Sequence, residues 1–110
     1  MEAEASVELV QELWHVSLRR GLGRTEVRER ADLVGAVCRL HPFEQSDLEV
    51  GLQLFGAHER LHTRDAIHAA TALNRDIDAI LTADRAFDDV PGLQRVDPLD
   101  TARIDTLAAP

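Results

Sequence analysis

The segment from Thr63 to Asp89 constrains the fold of this chain more than any other. Its first half places four apolar residues at helical spacing, namely Ile67, Ala69, Ala70 and Leu73. Thr63 is a suitable cap for that helix, and Asp65 lies in its first turn. Residues Asn74–Asp76 interrupt the pattern, and a short apolar run from Asp78 to Asp84 ends in polar residues, as a buried parallel strand does. The segment predicts a helix, a tight turn and a strand.

The lengths of these elements bring two acids together. A helix from Arg64 to Arg75 is about 16 to 18 Å long, and a strand of about five residues returns nearly the same distance. Asp65 and Asp84 should therefore lie at one edge, the carboxyl end of a parallel strand, where open α/β sheets place their sites. Two carboxylates there could hold a hard divalent cation through oxygen. The alternative is structural, with Asp65 complementing the helix dipole and Asp84 beginning a turn.

A third acid, Glu12, depends on how the chain begins. The opening segment, Glu2 to Ser6, is a poor strand on its own, and Ser6 to Arg20 is a good helix. If Ala3 to Val7 ends a strand, Glu12 lies about two turns into that helix, near the edge predicted for the two aspartates. The alternative is an exposed helical glutamate.

The rest of the chain predicts one modest domain. Thr25 to Arg39 reads as a helix capped by Thr25, and Ser46 to Glu49 as a capping box that opens a third helix. That third helix should place Leu48, Leu52 and Phe55 inward, and Leu93 to Val96 reads as a final strand. Residues 1–98 form the predicted domain. Leu99 to Pro110 shows no strong pattern and is expected to be a mobile tail.

Composition narrows the classes of function. The 110 residues carry a formal net charge of -8, which argues against passive electrostatic binding of nucleic acid, and all 12 basic residues are arginine. The single cysteine, Cys38, argues against a disulfide framework or a thiolate zinc site. No apolar run is long enough to span a membrane and no signal peptide follows Met1, so a soluble cytoplasmic protein is expected.

One motif suggests a different chemistry. The string from His58 to His62 fits the H-E-x-x-H pattern of zinc proteases, and His68 stands where a third histidine ligand would be. That extended pattern needs glycine where Asp65 stands, and the only methionine is Met1, so no Met-turn can form. Zinc proteolysis is therefore a remote alternative.

Three stretches resemble PIN-domain ribonucleases, particularly VapC-like toxins. These are Asp65 to Leu73, Ile80 to Phe87 with Val90 to Leu93, and Ser6 to Leu13, which is similar to the family's second strand and acidic helix. The resemblance implies an α/β, PIN-like three-layer fold with a short, mostly parallel sheet flanked by helices. It also implies a single-stranded RNA endonuclease that uses Mg²⁺ or Mn²⁺, forms a homodimer and is inhibited by a cognate antitoxin.

The resemblance assigns roles to individual residues. Glu12, Asp65 and Asp84 would be three of the family's four acids, which bind the metal and carry catalysis. Thr82 and Asp88 would support the site, and Asp88 could substitute for an acid that some relatives have where this chain has Ala86. Arg64 and Arg85 would contact RNA phosphate.

The family's first central strand, with its acid, has no match before Glu2. The expected consequences are two partial sheets, or a pairing completed by another chain, together with weak Mg²⁺ binding and lost or impaired RNase activity. A non-catalytic PIN remnant that binds an antitoxin or a second PIN subunit is the alternative function.

Overall fold

The computed structural model of this protein describes residues 3–108, which form two compact units. The N-terminal unit ends at Phe43 and the C-terminal unit continues from Glu44. The described strands form two separate two-stranded parallel sheets, which confirms the predicted α/β class and the prediction of two partial sheets. The predictions that include Met1, Glu2, Ala109 or Pro110 fall at those positions outside the described residues.

The N-terminal unit consists of two strands and two helices. In chain order they are β1 (Ala3–Ser6), α1 (Val7–Arg19), α2 (Arg24–Val37) and β2 (Cys38–His41). Strand β1 pairs with β2 in parallel, and α1 begins directly after β1 because the Ser6 hydroxyl accepts a hydrogen bond from the Leu9 N–H at 3.0 Å. The prediction of Thr25 as the cap of α2 is wrong, because the backbone is already helical at Arg24 and Gly23 is the N-cap.

The C-terminal unit contains the segment that constrained the fold. Its elements are α3 (Gln45–Ala57), α4 (Thr63–Asn74), β3 (Ala79–Leu81), a 3-10 turn (Arg85–Asp89), β4 (Gln94–Val96) and α5 (Thr101–Ala108). The predicted break after α4 is confirmed, since Asp76 has φ 55° in the left-handed region that a tight turn requires. Strands β3 and β4 pair in parallel. Helix α4 begins with His62 as its N-cap, so the prediction of Thr63 in that role is wrong by one residue.

Helix α3 packs on α4 through its small residues. A Cβ added at Gly51 would stand 3.6 Å from the carbonyl oxygen of Ala66, so the two backbones approach closely. The prediction that the large apolar residues of α3 are buried is wrong: the exposed fractions are 44% for Leu48, 63% for Leu52 and 53% for Phe55. With Gly51, these residues line an apolar groove between α3 and the first turns of α4. The three apolar residues therefore lie on the same side of α3 as Gly51, and α4 covers them only in part.

The core of the C-terminal unit lies between α4 and the segment after β3. Its buried members are Leu61, Ala69, Ala72, Ala86, Phe87, Val90 and Leu93. Two of them, Ala86 and Phe87, belong to the 3-10 turn. Burial of these two side chains holds this short element against the core.

The C-terminal segment differs from its prediction. Residues from Thr101 to Ala108 form α5, where no regular structure was predicted between Leu99 and Pro110. The Asp100 side chain accepts a hydrogen bond from the Arg103 N–H at 3.0 Å, which is a cap that a pattern of apolar spacing does not reveal. The mobility of this segment stays a prediction. Within residues 3–108, no helix is long and apolar enough to cross a membrane.

Candidate functional site

Asp65 lies in the first turn of α4, at the end of the helix where backbone N–H groups lack helical partners. Its carboxylate is half-buried and accepts a hydrogen bond from the backbone N–H of His62, the N-cap residue. The following residues of the helix, including Ala66, Ala69 and Ala70, are buried. The helix is therefore packed from its first turn, and this packing fixes the backbone that carries Asp65.

Asp84 lies between β3 and the 3-10 turn. The ladder extends past Leu81, because the Thr82 N–H donates to the Val96 carbonyl at 3.0 Å. The Thr82 hydroxyl then accepts from the Asp84 N–H at 3.1 Å, and the Asp84 carboxylate accepts from the Ala86 N–H at 2.9 Å. Asp84 thus caps the 3-10 turn, while Thr82 fixes the backbone of Asp84. Support of a metal site by Thr82 stays a prediction.

The two aspartates influence each other electrostatically. Burial raises the pKa of Asp65 above its ordinary value, and the negative charge of Asp84 raises that pKa further. The hydrogen bond from His62 and the nearby imidazoles of His68 and His62 act in the opposite direction, lowering it. The net direction is upward, so the charged form of Asp65 is disfavoured in the folded protein. A cation at the pair would favour that charged form.

Glu12 belongs to the N-terminal unit, on α1, and its side chain is half-buried. Within residues 3–108, no three His, Cys, Asp or Glu side chains form a group that could hold a metal ion. The C-terminal unit contributes two interacting carboxylates, and the convergence of Glu12 with them stays a prediction.

Two predicted polar residues of the 3-10 turn differ in their surroundings. Asp88 accepts a hydrogen bond from Arg95 Nε at 2.9 Å and so is part of an ion pair. Arg85 is exposed, and its carbonyl oxygen accepts from Arg60 Nη2 at 3.2 Å. Arg64 is exposed in the first turn of α4. Phosphate contact by Arg64 and Arg85, and support of the metal by Asp88, stay predictions.

The zinc-protease interpretation is wrong. His58 is the C-cap residue of α3 and His62 is the N-cap residue of α4, so the two histidines flank a break between helices. The H-E-x-x-H pattern requires both histidines on one helical face, four residues apart.

Sequence reasoning missed a buried polar network at the other end of α4. Asp47, with 0% of its side chain exposed, accepts from Arg75 Nη1 at 2.8 Å, Arg75 Nη2 at 3.1 Å and Asn74 Nδ2 at 2.9 Å. It also accepts from the backbone N–H of Glu44 at 2.9 Å, so the capping box of α3 begins at Glu44, and the predicted one at Ser46 is wrong. The Arg75 guanidinium lowers the pKa of Asp47 to about 2.

A second missed interaction lies closer to the acid pair. Arg60 donates from Nε and Nη2 to the two carboxylate oxygens of Asp89, at 2.8 and 2.7 Å. The Arg75–Asp47 and Arg60–Asp89 pairs join residues 28 and 29 positions apart, so no local sequence pattern predicts them. The only sequence signal was an aspartate in the first turn of a helix at position 47, which favours a cap.

Comparison with known proteins gives a consistent set of relatives. The PIN domain family model matches residues 2–93. Over 92 residues the chain is 32% identical to a VapC ribonuclease of Mycobacterium bovis and to ribonuclease VapC13 of Mycobacterium tuberculosis, and each match covers 81% of this chain and 68% of the relative. A chain from a toxin-antitoxin complex of Klebsiella pneumoniae has a similar fold, with a TM-score of 0.64 at 19% identity, over 82% of this chain and 70% of that one.

Proposed function

This chain belongs to the PIN domain family, and from that premise we propose that it is a VapC-type toxin that cleaves single-stranded RNA with Mg²⁺ or Mn²⁺. The observation that carries the proposal is the pair of carboxylates Asp65 and Asp84, of which Asp65 is half-buried in the first turn of α4 and has its pKa raised by burial and by the charge of Asp84. The two mycobacterial relatives are ribonucleases by name, which supports the ribonuclease activity.

The donor set fits a hard divalent cation. Asp65 and Asp84 offer carboxylate oxygens to such a cation, and Glu12 remains the predicted third ligand. When bound there, Mg²⁺ or Mn²⁺ would supply positive charge at the scissile phosphate and would lower the pKa of an attacking water. The chain's own contribution is to hold its acids rigidly, through the packed first turn of α4 and the Thr82 contact to Asp84.

Arginines supply the contact to the RNA backbone in this proposal. Arg64 and Arg85 are both exposed and each is one residue from an acid of the pair, Asp65 or Asp84. A guanidinium can bind phosphate oxygens in a bidentate manner, which lets an acidic protein bind RNA locally. Asp88 supports the turn through Arg95. We further propose a cytoplasmic location, a homodimer and a cognate antitoxin partner.

An RNA cleavage assay tests the proposal. We expect metal-dependent cleavage of single-stranded RNA by the protein extended with any in-frame upstream sequence that supplies the family's first acid, and weaker or no cleavage by the 110-residue chain. Asp65→Asn should abolish cleavage with the fold intact, whereas Asp78→Asn, at the other end of β3, should leave it unchanged. Cleavage that survives EDTA, or that Asp65→Asn leaves undiminished, would contradict the proposal.

A specific observation favours a second candidate, a non-catalytic interaction module. Leu48, Leu52 and Phe55 form an exposed apolar stripe on α3, and contiguous apolar surface often marks a protein interface. Under this alternative, Leu52→Glu should abolish self-association or antitoxin binding, measured by light scattering after size-exclusion chromatography. Asp65→Asn should then change neither association nor any biological effect. Loss of that effect in Asp65→Asn alone would favour the enzyme.

A further inference from the structure

Two arginines from different elements hold the 3-10 turn that follows Asp84. Arg60, in the loop between α3 and α4, binds Asp89 through both Nε and Nη2, and its Nη2 also donates to the Arg85 carbonyl. Arg95, on β4, binds Asp88 at 2.9 Å. The turn of five residues is therefore fixed at its first residue and at its last two.

The Arg60 contact joins the segments that carry the two acids. Arg60 precedes Leu61, which is only 1% exposed in the core, and α4 with Asp65 begins two residues later. On the other side, Asp84 caps the turn through the Ala86 N–H. A displacement of the turn would consequently displace the Asp84 carboxylate relative to Asp65.

We infer that Arg60 is a positioning residue, which holds Asp84 close to Asp65 so that both carboxylates can bind one divalent cation. The inference rests on the proposed function and adds a residue to it. Two like charges repel, so a flexible turn would separate them in the absence of a cation. A bidentate guanidinium fixes both distance and orientation, which a single contact does not. Because exposed ion pairs contribute little to global stability, the consequence of the bridge is local.

Three possible roles of Arg60 predict different effects of its removal on cation affinity. If Arg60 acted only through its positive charge near Asp84, its removal would increase the affinity for a cation, and Asp89→Asn would not imitate that removal. If Arg60 only stabilised the fold, its removal would lower the unfolding midpoint and leave cation affinity unchanged. Positioning predicts weaker cation binding on removal of either partner of the bridge.

The test titrates Mn²⁺ into the full 110-residue chain and follows the paramagnetic broadening of amide NMR signals near Asp65 and Asp84. We expect Arg60→Ala and Asp89→Asn each to weaken Mn²⁺ binding by about tenfold. The double variant should be no weaker than either single variant, because both remove one bridge. Arg60→Lys, which keeps the charge and loses the bidentate contact, should recover only part of the affinity. Hydrogen exchange of the Ala86 amide should accelerate in the same variants, while that of Thr82 in the β3–β4 ladder should not.

The matched control is Arg28→Ala, which removes an exposed Arg–Asp pair within α2 and should leave Mn²⁺ binding unchanged. Unchanged or tighter Mn²⁺ binding in Arg60→Ala would overturn the positioning role while leaving the proposed function intact. Absence of Mn²⁺ binding in the wild-type chain, or binding that survives Asp65→Asn, would instead refute the metal site itself, and the positioning role with it.

Discussion

The two ends of α4 present carboxylates in opposite electrostatic situations. At its C-terminal end, Asp47 of α3 is fully buried against Arg75 and Asn74, and the pKa of Asp47 is lowered to about 2. At its N-terminal end, burial and the charge of Asp84 raise the pKa of Asp65. One aspartate is matched by an arginine and the other is placed near a second acid.

This difference separates a carboxylate that stabilises the fold, Asp47, from one that is a candidate for binding a ligand, Asp65. The Asp47 network joins the N-terminus of α3 to the C-terminus of α4, and every oxygen of that carboxylate has donors. Asp65 has one backbone donor, and its environment disfavours the charge. A carboxylate whose charged form is disfavoured in the folded protein suits the binding of a cation, because the cation stabilises that charged form.

The largest expected effect comes from breaking the buried network. Arg75→Ala leaves the carboxylate of Asp47 without its cation inside the protein, and should lower the free energy of unfolding by about 3 to 5 kcal/mol. Denaturant unfolding measures this directly. Arg28→Ala, which removes a pair with 80% and 63% exposed side chains, should change stability by only about 0.5 kcal/mol. An equal loss of unfolding free energy in Arg75→Ala and Arg28→Ala would contradict the stabilising role of the buried Asp47 network.

Protonation of Asp47 at low pH should also weaken the Asp47 network and lower the stability of the protein. Since the folded-state pKa of Asp47, about 2, lies below its ordinary value of 3.8, its stabilisation is fully present above the ordinary value and is lost as pH falls toward 2. A shift of this size corresponds to roughly 2 kcal/mol. Denaturant unfolding between pH 5 and pH 2 should show a steeper loss of stability in the wild type than in Asp47→Asn, whose stability is already reduced at pH 5. Parallel pH profiles would contradict the assignment of the shift to Asp47.

The smallest expected effect, opposite in sign, lies at the other end of α4. Because the pKa of Asp65 is raised in the folded state, stability falls as pH rises through that pKa, and at neutral pH the charged carboxylate disfavours folding. Asp65→Asn should therefore raise the unfolding midpoint slightly in metal-free buffer at pH 7, and Asp84→Asn should do the same. A lowered midpoint in both variants would indicate that these acids stabilise the fold.

The sequence predicted the elements of this region better than their packing. Helical spacing after Thr63, the break at Asn74 and the apolar run before Asp84 depend on neighbouring residues, and local chemistry determines them. The burial of the large residues of α3 was predicted incorrectly, because Leu52 and Phe55 lie on the side that faces α4 but stay exposed in the groove between the two helices. The helix from Thr101 was missed because it lacks a strong apolar stripe.

Local sequence and tertiary structure divide in the same way at the candidate site, whose metal binding stays a prediction. Asp65 and Asp84 follow from element lengths, whereas Arg60 and Arg75 act across 28 or 29 residues of sequence. Arginine is common in this chain and mostly exposed, so nothing local distinguishes the two that form bidentate pairs. Only tertiary structure pairs them with Asp89 and Asp47.

The central claim, that Asp65 and Asp84 form a cation site, is tested most directly by thermal unfolding of the 110-residue chain with and without Mn²⁺. A ligand that binds only the folded state raises the unfolding midpoint, by an amount that grows with the logarithm of the ligand concentration relative to Kd. The account predicts a rise for the wild type and for Asp78→Asn, and none for Asp65→Asn or Asp84→Asn, although both variants begin from a higher midpoint. An equal Mn²⁺-induced rise in Asp65→Asn and in the wild type would contradict it.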